Sequence, residues 1–163
     1  MIPQLIELQE KDLEIVKEIY DHYILHSTAT FYTDVLSIEE LKKTINPGHP
    51  KYKSFLIQYN NNICGYCYIS QYKNRQAYDR TAEFTLYLKP EFTGKGIGKY
   101  AMEELEKIAR KLNFKVLIGI ISANNKQSIA LCEKCGYEKC AHFKQVGEKF
   151  GKILDVVAYQ KLI

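Results

Sequence analysis

The stretch Tyr87–Tyr100 reads YLKPEFTGKGIGKY, in which an apolar strand end runs into three alternating glycines and then into an amphipathic helix. Glycines at 94, 96 and 98 leave backbone N–H groups uncovered at the start of that helix, where the helix dipole also favours negative charge. Lys95 and Lys99 add positive charge to the same turn. The stretch therefore predicts a site for the phosphate or pyrophosphate group of a cofactor.

Two well-known phosphate-binding loops do not fit this stretch. A Walker A loop has a Ser or Thr after its lysine to bind Mg²⁺, whereas Tyr100 follows Lys99. A dinucleotide fingerprint has the spacing GxGxxG in an early βαβ unit, whereas these glycines follow GxGxG in mid-chain.

Two segments of the chain resemble the GNAT superfamily of N-acetyltransferases. TGKGIGKYAMEELEKIARKLNF (93–114) is similar to that family's pyrophosphate loop and following helix, and ISANNKQSIALCEKCGYE (121–138) is similar to its later Asn-to-helix segment. The two segments occur in the family's order. The resemblance implies that acetyl-CoA is the co-substrate and enters a gap between strands that end near Leu88 and Ile121.

Three further segments narrow the resemblance to the phosphinothricin acetyltransferase branch. They are IYDHYILHSTATF (19–31), YDRTAEFTLYL (78–88) and VGEKFGKILD (146–155), and the likeness extends from about Leu5 to Leu162. It implies acetylation of the amino group of a small amino-acid analogue such as phosphinothricin or methionine sulfoximine, and it implies a homodimer. The alternatives are another acceptor (a polyamine, an aminoglycoside or a protein N-terminus) and a non-catalytic acyl-CoA-binding module.

Composition agrees with one domain over residues 1–163. The formal charge of +4 is too small and too evenly spread to favour nucleic acid as a partner. No apolar run is long enough to span a membrane, and the first residues lack the pattern of a signal peptide. Five cysteines, an odd number, favour reduced thiols and hence a cytoplasmic location.

The order of predicted elements indicates an α+β fold, a mostly antiparallel mixed sheet of about seven strands flanked by about four helices, as in GNAT proteins. Asp12–Leu25 carries an apolar stripe that includes Tyr23, and Ser37 opens a capping box for a second helix. A third helix follows the glycines, and a fourth runs from Asn125 to Gly136. Strands are expected at Leu5–Leu8, Lys53–Tyr59, Ile63–Ser70, Thr81–Leu88, Lys115–Ile121, Tyr137–Val146 and Lys152–Leu162.

Glu83 is the predicted general base. The resemblance places the catalytic carboxylate in Arg80-Thr81-Ala82-Glu83, and strand alternation puts Glu83, Thr85 and Tyr87 on one face. An ordinary carboxylate is a weak base toward an alkylammonium, so we expect it to act through water or with a raised pKa. The alternative is an ion pair between Glu83 and Arg80 that only orders the loop. The oxyanion donor implied by the resemblance is a backbone N–H near Leu88.

Cys132 is a candidate proton donor to the leaving thiolate. Many GNAT enzymes carry a tyrosine in the run similar to LCEKCGY (131–137), and Cys132 takes its place here. A thiol could protonate a CoA thiolate of similar basicity. The alternatives are that Cys132 is a small core residue and that water supplies the proton.

The resemblance also assigns binding residues. Asn124 corresponds to the family's cofactor-contacting Asn, and its other predicted role is as the N-cap of the fourth helix. The acceptor is expected to lie against Phe31 and residues 27–30, with Tyr78 and Arg80 on one side and Lys149 as a further cation for a carboxylate. Lys149 could instead belong to an ordinary charged turn. The predicted cofactor-binding residues are Leu86, Tyr87, Leu88, Thr93, Gly94, Lys95, Gly96, Ile97, Gly98, Lys99, Asn124 and Ser128.

The chain also contains two CxxC motifs, Cys64–Cys67 and Cys132–Cys135, which could suggest zinc or a redox pair. The first motif falls in a predicted strand, where residues three apart point to opposite faces. The second falls in a helix that the acetyltransferase interpretation already explains. We therefore predict no metal.

Overall fold

A computed structural model describes residues 2–163, which form a seven-stranded mixed sheet with helices on both faces. The strand order is β1-β2-β3-β4-β5-β7-β6, and every neighbouring pair is antiparallel except β4 and β5. The strands are β1 (Gln4–Glu7), β2 (Ser54–Tyr59), β3 (Asn62–Gln71), β4 (Thr81–Leu88), β5 (Val116–Ser122), β6 (Glu138–Lys149) and β7 (Lys152–Leu162). This confirms the predicted fold class.

Four α-helices cover the sheet: α1 (Leu13–His26), α2 (Ile38–Ile45), α3 (Ile97–Lys111) and α4 (Lys126–Lys134). The capping box predicted at Ser37 is present, because its hydroxyl accepts from the Glu40 N–H and the Glu40 carboxylate accepts from the Ser37 N–H. Of the helices in residues 2–163, none combines the length and apolarity needed to span a membrane.

Alternation along β4 divides the core into two layers. Ala82, Phe84 and Leu86 face the buried residues of α3, whereas Tyr87 packs toward α1 and α2. Glu83 and Thr85 share the face of Tyr87 by the same alternation. The carboxylate predicted to be catalytic therefore points to the α1 side of the sheet.

The parallel pair β4–β5 separates part-way along its length. Only Thr81–Glu83 pair with Val116–Ile118, and the strands diverge beyond that point. The ring of Phe84 occupies the space beside Gly119, where a Cβ atom would lie 2.5 Å from the phenyl Cζ. The divergence opens a gap between the carboxyl ends of the two strands, as the resemblance implied.

Candidate active site

A cavity of about 570 Å³ opens at the gap between β4 and β5. Its walls come from the end of β4, the glycine turn before α3, the start of α4 and the segment after α1. It is lined by Tyr23, Ser27, Thr28, Ala29, Leu86, Tyr87, Leu88, Thr93, Gly94, Gly96, Gly98, Lys99, Asn124, Asn125, Gln127, Ser128, Ala130, Leu131 and Lys134. We call this the outer cavity.

The glycine turn has the backbone needed for an anion cradle. Gly94 and Gly96 adopt φ values of +72° and +82°, which a side chain would disfavour. Gly96 is the N-cap of α3, so the first N–H groups of that helix lack partners within the helix. These amides and the positive end of the helix dipole lie at the wall of the outer cavity and suit a pyrophosphate.

Ten of the twelve predicted cofactor-binding residues line the outer cavity, and Lys95 and Ile97 do not. The Lys95 ammonium lies 5.6 Å from the centre of the Phe92 ring, and the Ile97 side chain is buried in the core. Ile97 follows the N-cap, where the helix turns its side chain toward the sheet. Cofactor contact by the twelve residues stays a prediction.

Asn125, and not Asn124, has the N-cap role that the sequence offered for Asn124. The Asn125 side chain caps α4, since its Oδ1 accepts from the Ser128 N–H at 3.2 Å. Asn124 instead bonds to the Ser122 hydroxyl at 2.7 Å and to the Thr28 hydroxyl. Its amide thus links β5 to the segment after α1 at the wall of the outer cavity.

Sequence reasoning missed part of the lining. Tyr23, expected only as a packing residue, donates its hydroxyl hydrogen bond to the Leu88 carbonyl. The additional lining residues on α4 are Gln127, Ala130 and Lys134. They are spaced three and four residues apart, so they lie on one face of the helix, and this spacing is visible in the sequence. Extending that face from Ser128 would have identified them.

A smaller inner cavity of about 100 Å³ adjoins the outer one. Its lining includes Glu83, Thr85 and Ile120. The two cavities share Ala29, Leu86, Tyr87, Asn125, Ser128 and Leu131. Glu83 therefore lines a cavity that adjoins the one bordered by the glycine turn.

Burial raises the pKa of Glu83 above its ordinary value. Within residues 2–163, the carboxylate forms no ion pair with Arg80, the structural alternative that the sequence left open. A partly buried carboxylate without an ion-pair partner is costly for stability, and such groups are typical of functional sites.

The end of β4 presents backbone groups to the gap. The Lys89 N–H donates to the Cys64 carbonyl on β3 at 2.8 Å. Because successive N–H groups of a strand point to opposite sides, the Leu88 N–H faces the β5 side, where β4 has no strand partner. This amide can donate to an oxyanion in the gap.

The GNAT acetyltransferase domain model matches residues 5–158 of this chain. The chain belongs to the GNAT acetyltransferase family. The L-methionine sulfoximine/L-methionine sulfone acetyltransferase of Salmonella typhimurium is 30% identical over 155 residues, which are 91% of this chain and 88% of that protein.

Solved structures agree with this GNAT assignment. A phosphinothricin acetyltransferase from Sinorhizobium meliloti in complex with acetyl-CoA is 31% identical, has a TM-score of 0.91, and is matched over 100% of this chain and 89% of that chain. A ribosomal-protein-alanine N-acetyltransferase from Brucella melitensis is 27% identical, with a TM-score of 0.91 and coverage of 98% and 99%. GNAT enzymes that are named for different acceptors therefore share this fold.

In this acetyltransferase, Cys132 is a core residue that also borders the inner cavity. It is 1% exposed, and burial raises the pKa of its thiol to about 12. A thiol with so high a pKa is a weaker acid than an ordinary thiol and a poor proton donor to a thiolate. The position supports the structural alternative for Cys132.

Phe31, Tyr78 and Arg80, three of the predicted acceptor-binding residues, line neither cavity of this acetyltransferase. Phe31 packs against Gly147 and is 39% exposed. Tyr78 packs edge-on against Tyr72. Arg80 lies at the other end of β4, beside a depression that neither cavity reaches. A single chain therefore does not bring these side chains together with Glu83.

Lys149, the fourth predicted acceptor-binding residue, is not an exposed cation. It is 2% exposed, and its ammonium donates to the carbonyls of Ser27 at 2.5 Å and Thr30 at 2.8 Å. Neither the predicted carboxylate contact nor an ordinary charged turn describes this environment.

The two CxxC motifs lie in the protein core rather than in a ligand cluster. Cys64, Cys67, Cys132 and Cys135 are buried and are free thiols. Across residues 2–163, no group of three or more His, Cys, Asp or Glu side chains is arranged to hold a metal ion.

Proposed function

We propose that this GNAT acetyltransferase transfers the acetyl group of acetyl-CoA to the primary amine of a small amino-acid-like acceptor, of the phosphinothricin or methionine sulfoximine type. Acetyl-CoA is the co-substrate. The acceptor class is supported by the names of similar proteins, including the Salmonella typhimurium and Sinorhizobium meliloti enzymes. One observation carries the proposal: the Glu83 cavity shares six lining residues with the cavity that the glycine turn borders.

The cofactor fits the residues that are present. The amides before and within the first turn of α3 would hold the pyrophosphate, with Lys99 adding positive charge. The pantetheine arm would follow the unpaired edge of β4 from Leu88 toward Leu86. This path brings a thioester to the mouth of the inner cavity, near Glu83.

The proposed reaction is a direct attack in a ternary complex. Glu83 accepts a proton from the acceptor ammonium, directly or through water, and the neutral nitrogen attacks the acetyl carbonyl carbon. The oxyanion that forms accepts a hydrogen bond from the Leu88 N–H. The C–S bond then breaks, the nitrogen loses its second proton, and the leaving thiolate takes a proton from water. The net products are the amide, free CoA and one proton.

Acetyl transfer from acetyl-CoA to a panel of amines tests the acceptor class. Products are measured by mass spectrometry, because thiol dyes would also react with the protein's cysteines. The panel contains phosphinothricin, methionine sulfoximine, methionine sulfone, natural amino acids, spermidine, an aminoglycoside and an N-terminal peptide. Acetylation confined to the amino-acid analogues supports the proposal. Acetylation of spermidine, the aminoglycoside or the peptide instead would keep the chemistry and replace the acceptor.

We also propose a single GNAT domain over residues 1–163, a cytoplasmic location and a homodimer. The match over residues 5–158 supports the first, and five free cysteines support the second. Exposed apolar side chains on the β6–β7 hairpin support the third: Phe143, Val146, Phe150 and Ile153 are each at least half exposed. Sedimentation equilibrium of the full chain measures the assembly state.

A further inference from the structure

Lys149 occupies an unusual position for a lysine. It is the last residue of β6, and its side chain reaches the C-terminal end of α1 instead of solvent. Besides Ser27 and Thr30, its ammonium contacts the carbonyl of Tyr23 at 3.5 Å. The three N–H donors of the ammonium thus meet three backbone acceptors. The negative end of the α1 dipole adds to the attraction.

The carbonyls that Lys149 holds belong to the Ser27–Phe31 loop, or to the helix turn just before it. Ser27, Thr28 and Ala29 line the outer cavity, and Ala29 also lines the inner one. The loop thus forms the wall where the two cavities meet. A small displacement of this wall would change the space available to both substrates.

Other contacts hold single points of the loop. The Thr28 hydroxyl bonds to Asn124, and the Thr30 hydroxyl bonds to Tyr20 at 2.7 Å. Tyr87 contacts the Ala29 carbonyl at 3.4 Å. Each of these contacts joins one point of the loop to one neighbour, whereas Lys149 joins both ends of the turn to a different part of the sheet.

We propose that Lys149 is a positioning residue that fixes the Ser27–Phe31 loop through the Ser27 and Thr30 carbonyls and thereby shapes both substrate cavities. Lys149 then acts on the acceptor through the loop and makes no ion pair with an acceptor carboxylate. This inference rests on the proposed function for its kinetic consequence, but its structural content does not depend on which acceptor is used.

Lys149→Met tests the proposal, with Lys152→Met as the matched control. Lys152 is an exposed lysine across the same hairpin turn. Methionine keeps most of the apolar stem and removes the three donors. Amide hydrogen exchange is measured by mass spectrometry in the full chain. We expect faster exchange across residues 27–31 in Lys149→Met and unchanged exchange there in Lys152→Met. Unchanged exchange in Lys149→Met would overturn the proposal.

Kinetics separate positioning from direct binding. Each variant is assayed with methionine sulfone and with its carboxamide, which lacks the carboxylate. A displaced loop lowers kcat/KM by about 100-fold for both acceptors, with most of the change in KM, and Lys149→Arg restores part of it. A loss confined to the acceptor with the carboxylate would show direct ion pairing and overturn the proposal.

Two further results keep the test decisive. If the wild-type enzyme acetylates neither acceptor, the proposed acceptor class fails, while hydrogen exchange still decides the role of Lys149. If Lys149→Met does not fold, Lys149→Gln replaces it, because its amide keeps two N–H donors without charge. Exchange across residues 27–31 in that variant should then lie between those of the wild type and a fully released loop. If Lys149→Gln had the same amide hydrogen exchange across residues 27–31 and the same KM as the wild type, the proposed role of the Lys149 ammonium would be refuted.

Discussion

Glu83→Gln removes the proposed base while nearly preserving the size of the side chain. Loss of a positioned general base lowers kcat/KM by about 100-fold to 10,000-fold, or about 3–5 kcal/mol of barrier. Glu83 lies in the inner cavity and does not line the outer one. The affinity for acetyl-CoA should therefore stay close to that of the wild type.

Although Glu83→Gln should lower kcat/KM, it should not lower the free energy of unfolding. Burial raises the pKa of Glu83, so ionisation of this carboxyl is less favourable in the folded state than in the unfolded state. The Glu83 carboxyl makes its full contribution to stability below its pKa in the unfolded state. That contribution is lost as the pH rises through its pKa in the folded state. At neutral pH the charged group opposes folding, and an uncharged glutamine should leave stability equal or higher.

The assay combines initial rates by mass spectrometry, acetyl-CoA titration by calorimetry, and urea unfolding. Glu138→Gln, the same change on an exposed part of β6, is the control and should match the wild type in all three. The wild-type kcat/KM should fall on the acid side at a pH above the ordinary glutamate pKa, and Glu83→Gln should lack that limb. If Glu83→Gln keeps activity within about tenfold of the wild type, the assignment of Glu83 as base is refuted.

Three further substitutions test other parts of the site. Gly96→Ala should cost about 1 kcal/mol at φ +82° and weaken acetyl-CoA binding by calorimetry, whereas Gly48→Ala at φ +84° should cost as much without affecting binding. Gly119→Ala should lower the free energy of unfolding by about 1–3 kcal/mol because its Cβ meets the Phe84 ring, and the added change Phe84→Leu should recover part of that loss in urea titrations. Cys132→Ala should lower thermal stability but keep kcat, and a large fall in kcat would restore its role as proton donor.

Much of the fold could be predicted because it depends on local patterns. The strands Thr81–Leu88 and Lys152–Leu162 have the predicted bounds, and most other predicted ends lie within a few residues of those observed. The helix start at Ser37 follows from a capping box only four residues long. The glycine turn before α3 was predictable for the same reason, since its conformation depends on residues next to one another.

The cofactor side of the site was more predictable than the acceptor side. Ten of the predicted cofactor-binding residues line one cavity because they lie on three continuous segments, the end of β4, the turn into α3 and the start of α4. Lys95 and Ile97 belong to the same turn, but they do not line the cavity. Tyr23 was missed because helical periodicity assigned it only to the core. Its hydroxyl, on α1, donates to the Leu88 carbonyl at the end of β4, a contact between distant parts of the chain.

Whether a lysine of the β6–β7 turn is buried or exposed depends on contacts that no local sequence pattern encodes. Lys149 and Lys152 flank the same two-residue hairpin turn, Phe150-Gly151, yet Lys149 is buried and Lys152 is exposed. The difference arises because the end of α1, more than a hundred residues away in the chain, presents carbonyls to only one of them. A buried ammonium must find acceptors or lose its charge, so those carbonyls determine where Lys149 can lie. The same requirement makes Lys149 a sensitive test of whether the loop, rather than a charge in the cavity, governs acceptor binding.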